Sequence, residues 1–183
     1  MGKRIFLVGL SGSGKSTAGP LAARALEWEF VDADRLVEER TGRPVTEIFA
    51  EDGEEHFRAL EAAVLEELSN RSRVVVATGG GAVMTEAGRQ ALARGYVVWL
   101  RLPPAAAAER LLSDPGTEDR PLLQGDPIAR LKALAATRGP LYEETAAAIL
   151  DVGHLSPAEV AERVVDCWRA RKAERKAREG ARA

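Results

Sequence analysis

The chain has 183 residues, which is enough for one buried core and too few for two ordinary domains, so we expect a single domain. Charged residues make up 30% of the chain and apolar residues 45%, as is typical of a globular protein. The net charge of −2 gives no long-range attraction to nucleic acid or to an anionic membrane, so we expect neither as a partner.

The single cysteine and the lack of a recognisable targeting signal in the sequence favour the cytoplasm. Cys167 is the only cysteine, which excludes an internal disulfide and fits a reducing compartment. The apolar run at residues 5–10 is too short for a signal peptide, and no stretch reaches the length of a membrane span. We therefore expect a cytoplasmic protein, and nothing in the sequence demands more than a monomer.

Apolar runs that predict buried strands alternate with helical patterns along the chain. The predicted strands cover residues 5–8, 30–31, 74–77, 97–100 and 148–150. Apolar residues at spacings of three and four predict helices over residues 17–26, 54–68, 86–93, 105–112, 128–136 and 157–168. This alternation predicts a three-layer α/β/α fold with a five-stranded, mainly parallel sheet, in which ligands bind at the carboxyl ends of the strands.

Three segments depart from the simple alternation. Residues 33–68 contain no strand-like run, so we expect a largely helical insertion after the second strand. Residues 113–127 are dense in Pro, Gly, Asp and charge, which predicts a mobile lid. The domain then covers residues 1–168, and the basic tail at residues 169–183 is predicted to extend the last helix rather than to bind nucleic acid.

The motif that carries chemistry lies between the first strand and the first helix. Residues 9–16, GLSGSGKS, match the phosphate-binding loop GxxxxGK[ST] in the strand–loop–helix context that the motif requires. In this motif the backbone amides and the helix start bind phosphates, so we expect Lys15 to bridge the β- and γ-phosphates and the Ser16 hydroxyl to be a ligand for Mg²⁺. We expect ATP contacts from this loop and helix start: Gly12, Ser13, Gly14, Lys15, Ser16 and Thr17.

Three classes of phosphate-loop protein can be compared with the sequence. A GTP-binding switch needs an NKxD-type guanine reader, which is absent. A motor or transport ATPase usually ends a second apolar strand in Asp or Asp-Glu, whereas here the strand at residues 74–77 runs into Thr78 and three glycines. Small-molecule kinases remain, and in these a loop rich in Arg and Pro closes over the nucleotide.

Several blocks resemble the shikimate kinase family. They are FVDADRLVEERTGRPVTEIFAEDGEEHFRALE, the triple glycine at residues 79–81, RPLL at residues 120–123 and RGPLY at residues 138–142, in the family's order over most of the chain. The resemblance implies ATP-dependent phosphorylation of the 3-hydroxyl of shikimate, in the aromatic amino-acid pathway. It also implies that the shikimate pocket contains Asp34, Arg58, Gly80, Gly81 and Arg138.

The chemistry of shikimate agrees with these residue types. Arg58 and Arg138 offer planar donor forks for a carboxylate, and Asp34 can accept hydrogen bonds from ring hydroxyls. Glu61, one turn after Arg58, is expected to hold that guanidinium in place. Asp34 is our candidate base for the attacking hydroxyl.

The resemblance also implies roles at the phosphates and at the adenine. Asp32 would support Mg²⁺ together with Ser16, and Arg120 would swing over the γ-phosphate as the lid arginine. Arg110 and the loop around Pro157 would sandwich the adenine base.

Purely structural roles remain open for several of these residues, and other functions remain open for the protein. Either aspartate, Asp32 or Asp34, could simply cap the helix that follows. His56 and His154 look like ordinary packing or surface histidines rather than metal ligands. A kinase of another polyol acid such as gluconate, or a nucleotide-dependent switch or binding protein, are the alternative functions.

Overall fold

The computed structural model describes residues 3–113 and 126–180. Its centre is a five-stranded sheet with the strand order β2-β3-β1-β4-β5, in which every pair of neighbours is parallel. The sheet predicted from the sequence is therefore confirmed. Its strands are β1 (Arg4–Val8), β2 (Glu29–Asp32), β3 (Val74–Ala77), β4 (Tyr96–Arg101) and β5 (Ala148–Asp151).

Eight helices connect and flank the strands in the described part of the chain. They are α1 (Lys15–Leu26), α2 (Ala33–Thr41), α3 (Val45–Glu51), α4 (Gly53–Leu68), α5 (Glu86–Leu92), α6 (Pro104–Leu112), α7 (Pro127–Thr145) and α8 (Pro157–Gly180). The predicted helical insertion is α2, α3 and α4. None of the described helices is long and apolar enough to cross a membrane.

The sheet separates two hydrophobic cores because side chains alternate between the two faces of a strand. On one face, Ile5 and Leu7 of β1 pack with residues of α1, α6 and α8. On the other face, Phe6 and Val8 pack with residues of α2 to α5. Helices on both faces make the three layers, and each strand of the sheet's centre reads as a continuous apolar run because both faces are buried.

The register of the sheet brings three strand ends to one edge. Leu7 of β1 and Asp32 of β2 both pair with Ala77, the last residue of β3. The loops that follow β1, β2 and β3 therefore leave the sheet side by side. The phosphate-loop motif follows β1, the two aspartates lie at the junction of β2 and α2, and the triple glycine follows β3, so the fold alone brings these segments together.

Helix α7 is longer than the sequence predicts. The sequence predicts this helix over residues 128–136, but α7 runs on through Gly139 and Pro140, two residues that usually disfavour a helix interior, to Thr145. Two residues beyond the proline, Tyr142 is buried in the core, and this packing stabilises the last turns of the helix. Arg138 is consequently a helical residue rather than a loop residue.

Candidate active site

The phosphate loop is a tight turn between β1 and α1. Gly12 has φ 81°, and a Cβ atom there would lie 2.9 Å from the carbonyl oxygen of Ala107 in α6. A side chain at this position would therefore meet both backbone strain and a steric clash. Gly14 caps α1 with φ 90°, which directs the loop into the helix start. Ser13 is buried, whereas Ser16 and Thr17 are exposed in the first turn of α1.

Lys15 lies across the loop rather than in solvent. It is buried, and its Nζ donates to the carbonyl oxygens of Gly9 and Leu10, both at 2.9 Å, and to Ser13 Oγ at 3.4 Å. These contacts hold the ammonium group at the mouth of the loop. A phosphate chain bound in the loop would need a cation at this position.

Ser16 and Asp32 connect the phosphate loop to the end of β2. The Ser16 hydroxyl donates to Asp32 Oδ2 at 2.6 Å. The other carboxylate oxygen of Asp32 accepts from the backbone N–H groups of Asp34 and Arg35, so Asp32 is also the N-cap of α2. A hydroxyl and a carboxylate at a phosphate site are the oxygen donors that Mg²⁺ prefers, so this pair fits a metal. Asp34, by contrast, is not the cap.

The triple glycine after β3 packs directly against charged side chains from three helices. A Cβ atom at Gly81 would lie 2.2 Å from the guanidinium carbon of Arg58, and one at Gly80 would lie 3.2 Å from Nη1 of Arg138. A Cβ atom at Gly79 would lie 2.2 Å from Glu61 Oε1 and 2.6 Å from Asp34 Oδ1. The absence of side chains at these three positions therefore allows the charged groups to meet.

Arg58 is fixed by two carboxylates and two aromatic rings. Its Nη1 donates to Glu61 Oε2 at 2.6 Å, and its Nε and Nη2 donate to Glu54 Oε1 at 3.2 Å. The guanidinium also lies 5.6 Å from the ring centroid of Phe49 and 5.3 Å from that of Phe57. Burial alone would lower the pKa of Arg58, but Glu61 and Glu54 outweigh it and hold the pKa above its ordinary value. The pairing predicted for Arg58 and Glu61 is present.

Two carboxylate oxygens lie buried beside Gly79 without a hydrogen-bond partner among the described residues. They are Oδ1 of Asp34 and Oε1 of Glu61. Burial is the largest cause of a pKa of about 7 for Asp34, well above the ordinary 3.8. The charges of Glu61 and Asp32 add to the increase, and those of Lys15 and Arg58 oppose it. Burial also raises the pKa of Glu61, against Arg58 and Arg138, which lower it. The cleft formed by residues 79–81 and the charged side chains packed on them can therefore accept several hydrogen bonds or a proton.

Tyr142 is a residue of the site whose role the sequence did not reveal. Its hydroxyl donates to the carbonyl oxygen of Gly80, and its ring lies 5.6 Å from that of Trp99. Burial raises the pKa of Tyr142 to about 12, while nearby Arg138 lowers it. One signal was available, because Tyr142 lies four residues after Arg138 and so on the same face of α7.

Arg110 lies between the phosphate loop and the segment that follows β5. Its Nη2 donates to the carbonyl oxygens of Val152 at 2.8 Å and Gly153 at 3.3 Å. A cavity of about 450 Å³ opens beside it, lined by Ala106, Glu109, Arg110, Ser113 and Gly153. Of the two predicted adenine contacts, Arg110 lines this cavity, whereas Pro157, exposed at the start of α8, is not among its lining residues. Arg120 and most of the predicted lid lie outside the described residues.

The raised pKa of the Asp34 carboxyl makes the stability of the fold depend on pH. Because this pKa is raised above the ordinary value of 3.8, the folded protein binds this proton more tightly than the unfolded chain does. Ionisation of Asp34 therefore destabilises the fold progressively as pH rises from about 4 to about 7. We expect Asp34→Asn to remove this penalty, so that from pH 5 to pH 8 the variant gains on the order of 2 kcal/mol relative to the parent protein.

Urea denaturation of both proteins at the two pH values measures this difference. Asp166→Asn, a change of the same type on the exposed face of α8, is the matched control and should follow the parent protein at both pH values. A stability difference between Asp34→Asn and the parent that did not vary with pH would contradict the assignment of the raised pKa to Asp34.

Comparisons with known proteins identify the family. The model of the shikimate kinase family matches residues 11–169. Shikimate kinase of Halorhodospira halophila is 49% identical over 165 residues, which cover 89% of this chain and 92% of that protein. The structure of shikimate kinase from Acinetobacter baumannii in complex with shikimate is similar with a TM-score of 0.87 at 37% identity, over 93% of this chain and 94% of that chain.

A more distant likeness shows the breadth of the fold. A gluconokinase from Sinorhizobium meliloti is similar with a TM-score of 0.56 at 22% identity, over 96% of each chain. At this identity the likeness supports the phosphate-loop kinase fold alone. The motif resemblance and the match over most of the chain agree, and the chain belongs to the shikimate kinase family.

Proposed function

We propose that the protein transfers the γ-phosphate of ATP to the 3-hydroxyl of shikimate, giving shikimate 3-phosphate and ADP. The observation that carries this proposal is the meeting of Arg58, Arg138 and Asp34 on the triple glycine, next to the phosphate loop. A Cβ atom at Gly80 would lie 3.7 Å from the Ser11 backbone nitrogen, so the acceptor cleft adjoins the loop. The family and its relative that binds shikimate support the same reaction.

The charges and hydrogen-bonding groups around the triple glycine complement those of shikimate. Shikimate carries a carboxylate at one end of its ring and three hydroxyls at the other. Arg58 and Arg138 would bind the carboxylate through paired N–H groups, which guanidinium geometry favours. The backbone N–H groups of Gly80 and Gly81 would approach the substrate closely because no side chain lies between.

Asp34 would receive the proton of the attacking hydroxyl. Its buried Oδ1 accepts no hydrogen bond from the described residues, and its pKa of about 7 is close to neutral pH, where a general base works best. As the 3-oxygen bonds to the γ-phosphorus, its proton would pass to Asp34 and the bond from that phosphorus to the oxygen of ADP would break. The contribution of such a base is about 10²–10⁴-fold in rate.

The phosphates would be held by the loop that Lys15 crosses. Lys15 would exchange its contacts with the Gly9 and Leu10 carbonyls for the β- and γ-phosphates, and Arg120 would add charge over the γ-phosphate. Ser16 and Asp32 would hold Mg²⁺, which neutralises charge on the transferring phosphate. The set of ATP contacts that we propose is Gly12, Ser13, Gly14, Lys15, Ser16, Thr17, Arg110, Arg120 and Pro157.

Adenine would lie against Arg110. The two backbone carbonyls that Arg110 contacts hold its guanidinium plane beside the 450 Å³ cavity, where an aromatic base can stack on it. We also propose a monomer as the active unit, because nothing in the sequence demands more. A reaction that consumes ATP also agrees with the cytoplasmic location expected from the sequence.

The direct test is ADP release from purified protein with ATP and magnesium chloride, with and without shikimate. We expect release to be stimulated strongly by shikimate and to stop when EDTA removes the metal. Gluconate and other sugar acids serve as comparison acceptors. Stimulation by gluconate but not by shikimate would favour the alternative kinase, and slow release that no acceptor changes would favour a nucleotide-dependent switch.

Arg138→Gln tests the carboxylate contact without unpairing a buried acid. Loss of a charged hydrogen bond costs about 1.5–3 kcal/mol, so we expect the KM for shikimate to rise about 10- to 100-fold while the KM for ATP changes little. Lys132→Gln removes a positive charge from an exposed position on the same helix and should leave both constants unchanged. Unaltered shikimate saturation in Arg138→Gln would show that this arginine lies outside the acceptor site.

Tyr142→Phe tests the support of the glycine segment. Removing the hydroxyl leaves the Gly80 carbonyl without its donor, so we expect the KM for shikimate to rise about tenfold and the KM for ATP to stay the same. Tyr96→Phe is the matched control, because Tyr96 donates to the backbone oxygen of Cys167 at 3.2 Å in the other core. If both variants lose stability but neither changes the shikimate KM, Tyr142 has a structural role only.

A further inference from the structure

A second cavity lies at the opposite edge of the sheet from the active site. Its volume is about 240 Å³, and its walls come from the end of α1, the segments before β1 and β3, and α8. The lining residues are Lys3, Leu26, Glu27, Trp28, Arg73, Trp168, Arg169 and Lys172. None of them belongs to the proposed shikimate kinase site, so the cavity calls for its own explanation.

Positive charge is concentrated around this second cavity. Four of its lining residues are cationic and only Glu27 is acidic, in a chain whose net charge is −2. Within residues 3–113 and 126–180, none of the four cationic side chains forms an ion pair: Lys3, Arg73, Arg169 and Lys172. By contrast Arg71, two residues before Arg73, forms ion pairs with Glu29 and Glu67. Unpaired cations around one cavity favour an anionic ligand.

Aromatic rings form the apolar part of the wall. The rings of Trp28 and Trp168 meet edge to face with centroids 5.4 Å apart, and the ring of Tyr96 lies 5.6 Å from that of Trp168. Trp168 is buried, so its position is set by the core, whereas Trp28 is partly exposed. Indole rings held in this way offer a rigid surface on which another planar ring can stack.

The backbone at the cavity is unusual for this protein. In the described residues, only two that are not glycine have a positive φ, Glu27 at 56° and Arg73 at 60°, and both line the cavity. Glu27 is the C-cap of α1, a common place for this conformation. Arg73 caps no helix, and its conformation costs about 1–2 kcal/mol. Such strain is concentrated at functional sites in many proteins.

We propose that this cavity binds a small aromatic anion, a single ring bearing a carboxylate or a phosphate. The ring would stack on the Trp28 indole, and the anionic group would lie among Arg73, Arg169 and Lys172. The volume is below the roughly 300–1,000 Å³ usual for drug-sized ligands, which limits the ligand to about one ring. The residues that would bind this ligand are separate from those proposed to bind ATP and shikimate.

Phenyl phosphate is a suitable probe, because it combines one ring with a dianionic group. Titration calorimetry is carried out with saturating MgADP and shikimate, so that the proposed phosphate and carboxylate sites are occupied. We expect one binding site per chain and quenching of tryptophan fluorescence. Inorganic phosphate, which has no ring, and benzyl alcohol, which has no charge, should each bind at least about tenfold more weakly.

Variants locate the site. The double change Arg73→Gln with Arg169→Gln should weaken phenyl phosphate binding at least about fivefold while shikimate-dependent ADP release stays at the parent level, which also shows that the variant folds. Arg163→Gln, on an exposed face of α8 away from the cavity, is the matched control and should bind as the parent does. No binding of phenyl phosphate to the parent protein, or equal binding to the double variant, would overturn the proposal.

Discussion

Close contact between charged side chains and three glycines is the constraint on which the candidate active site depends. Gly79, Gly80 and Gly81 leave β3 at the edge where the phosphate loop leaves β1, and side chains from α2, α4 and α7 fill the space that Cβ atoms would occupy. The guanidinium of Arg58 lies where a Cβ atom at Gly81 would be, so even alanine there would displace it. The acceptor cleft therefore exists because the three residues after β3 have no side chains, which leaves room for the charged groups.

The electrostatics of the cleft follow from this packing. Arg58 and Glu61 form a short ion pair in a largely buried place, yet Glu61 Oε1 and Asp34 Oδ1 remain without hydrogen-bond partners among the described residues. A buried acceptor without a donor lowers the free energy of unfolding, and a ligand with several hydroxyls would reduce this cost by donating hydrogen bonds to the two oxygens. The cleft thus combines cations for a carboxylate with acceptors for hydroxyls. This combination suits a polyhydroxylated acid, and the Asp34 carboxyl, whose pKa is raised, lies in the same cleft.

Much of the architecture could be predicted because it depends on local pattern. Continuous apolar runs gave the five strands, and the glycines, Lys15 and Ser16 between a strand and a helix gave the phosphate loop. Other features depend on distant parts of the chain and have no local signal. The burial of one oxygen of Asp34 results from α4 packing beside Gly79, and the bond from Tyr142 to Gly80 joins residues 62 positions apart. Helix α7 passes through Gly139 and Pro140 because core packing outweighs their weak helix propensity.

The central claim is that the acceptor acid lies on the triple glycine between Arg58 and Arg138, with its hydroxyl at Asp34 and facing the γ-phosphate. A crystal structure with shikimate and a non-hydrolysable ATP analogue measures this directly. We predict that both guanidinium groups donate to the carboxylate and that the 3-oxygen lies about 2.6–3.2 Å from an Asp34 oxygen. Shikimate bound away from the glycine segment, or with its carboxylate distant from both arginines, would contradict the account.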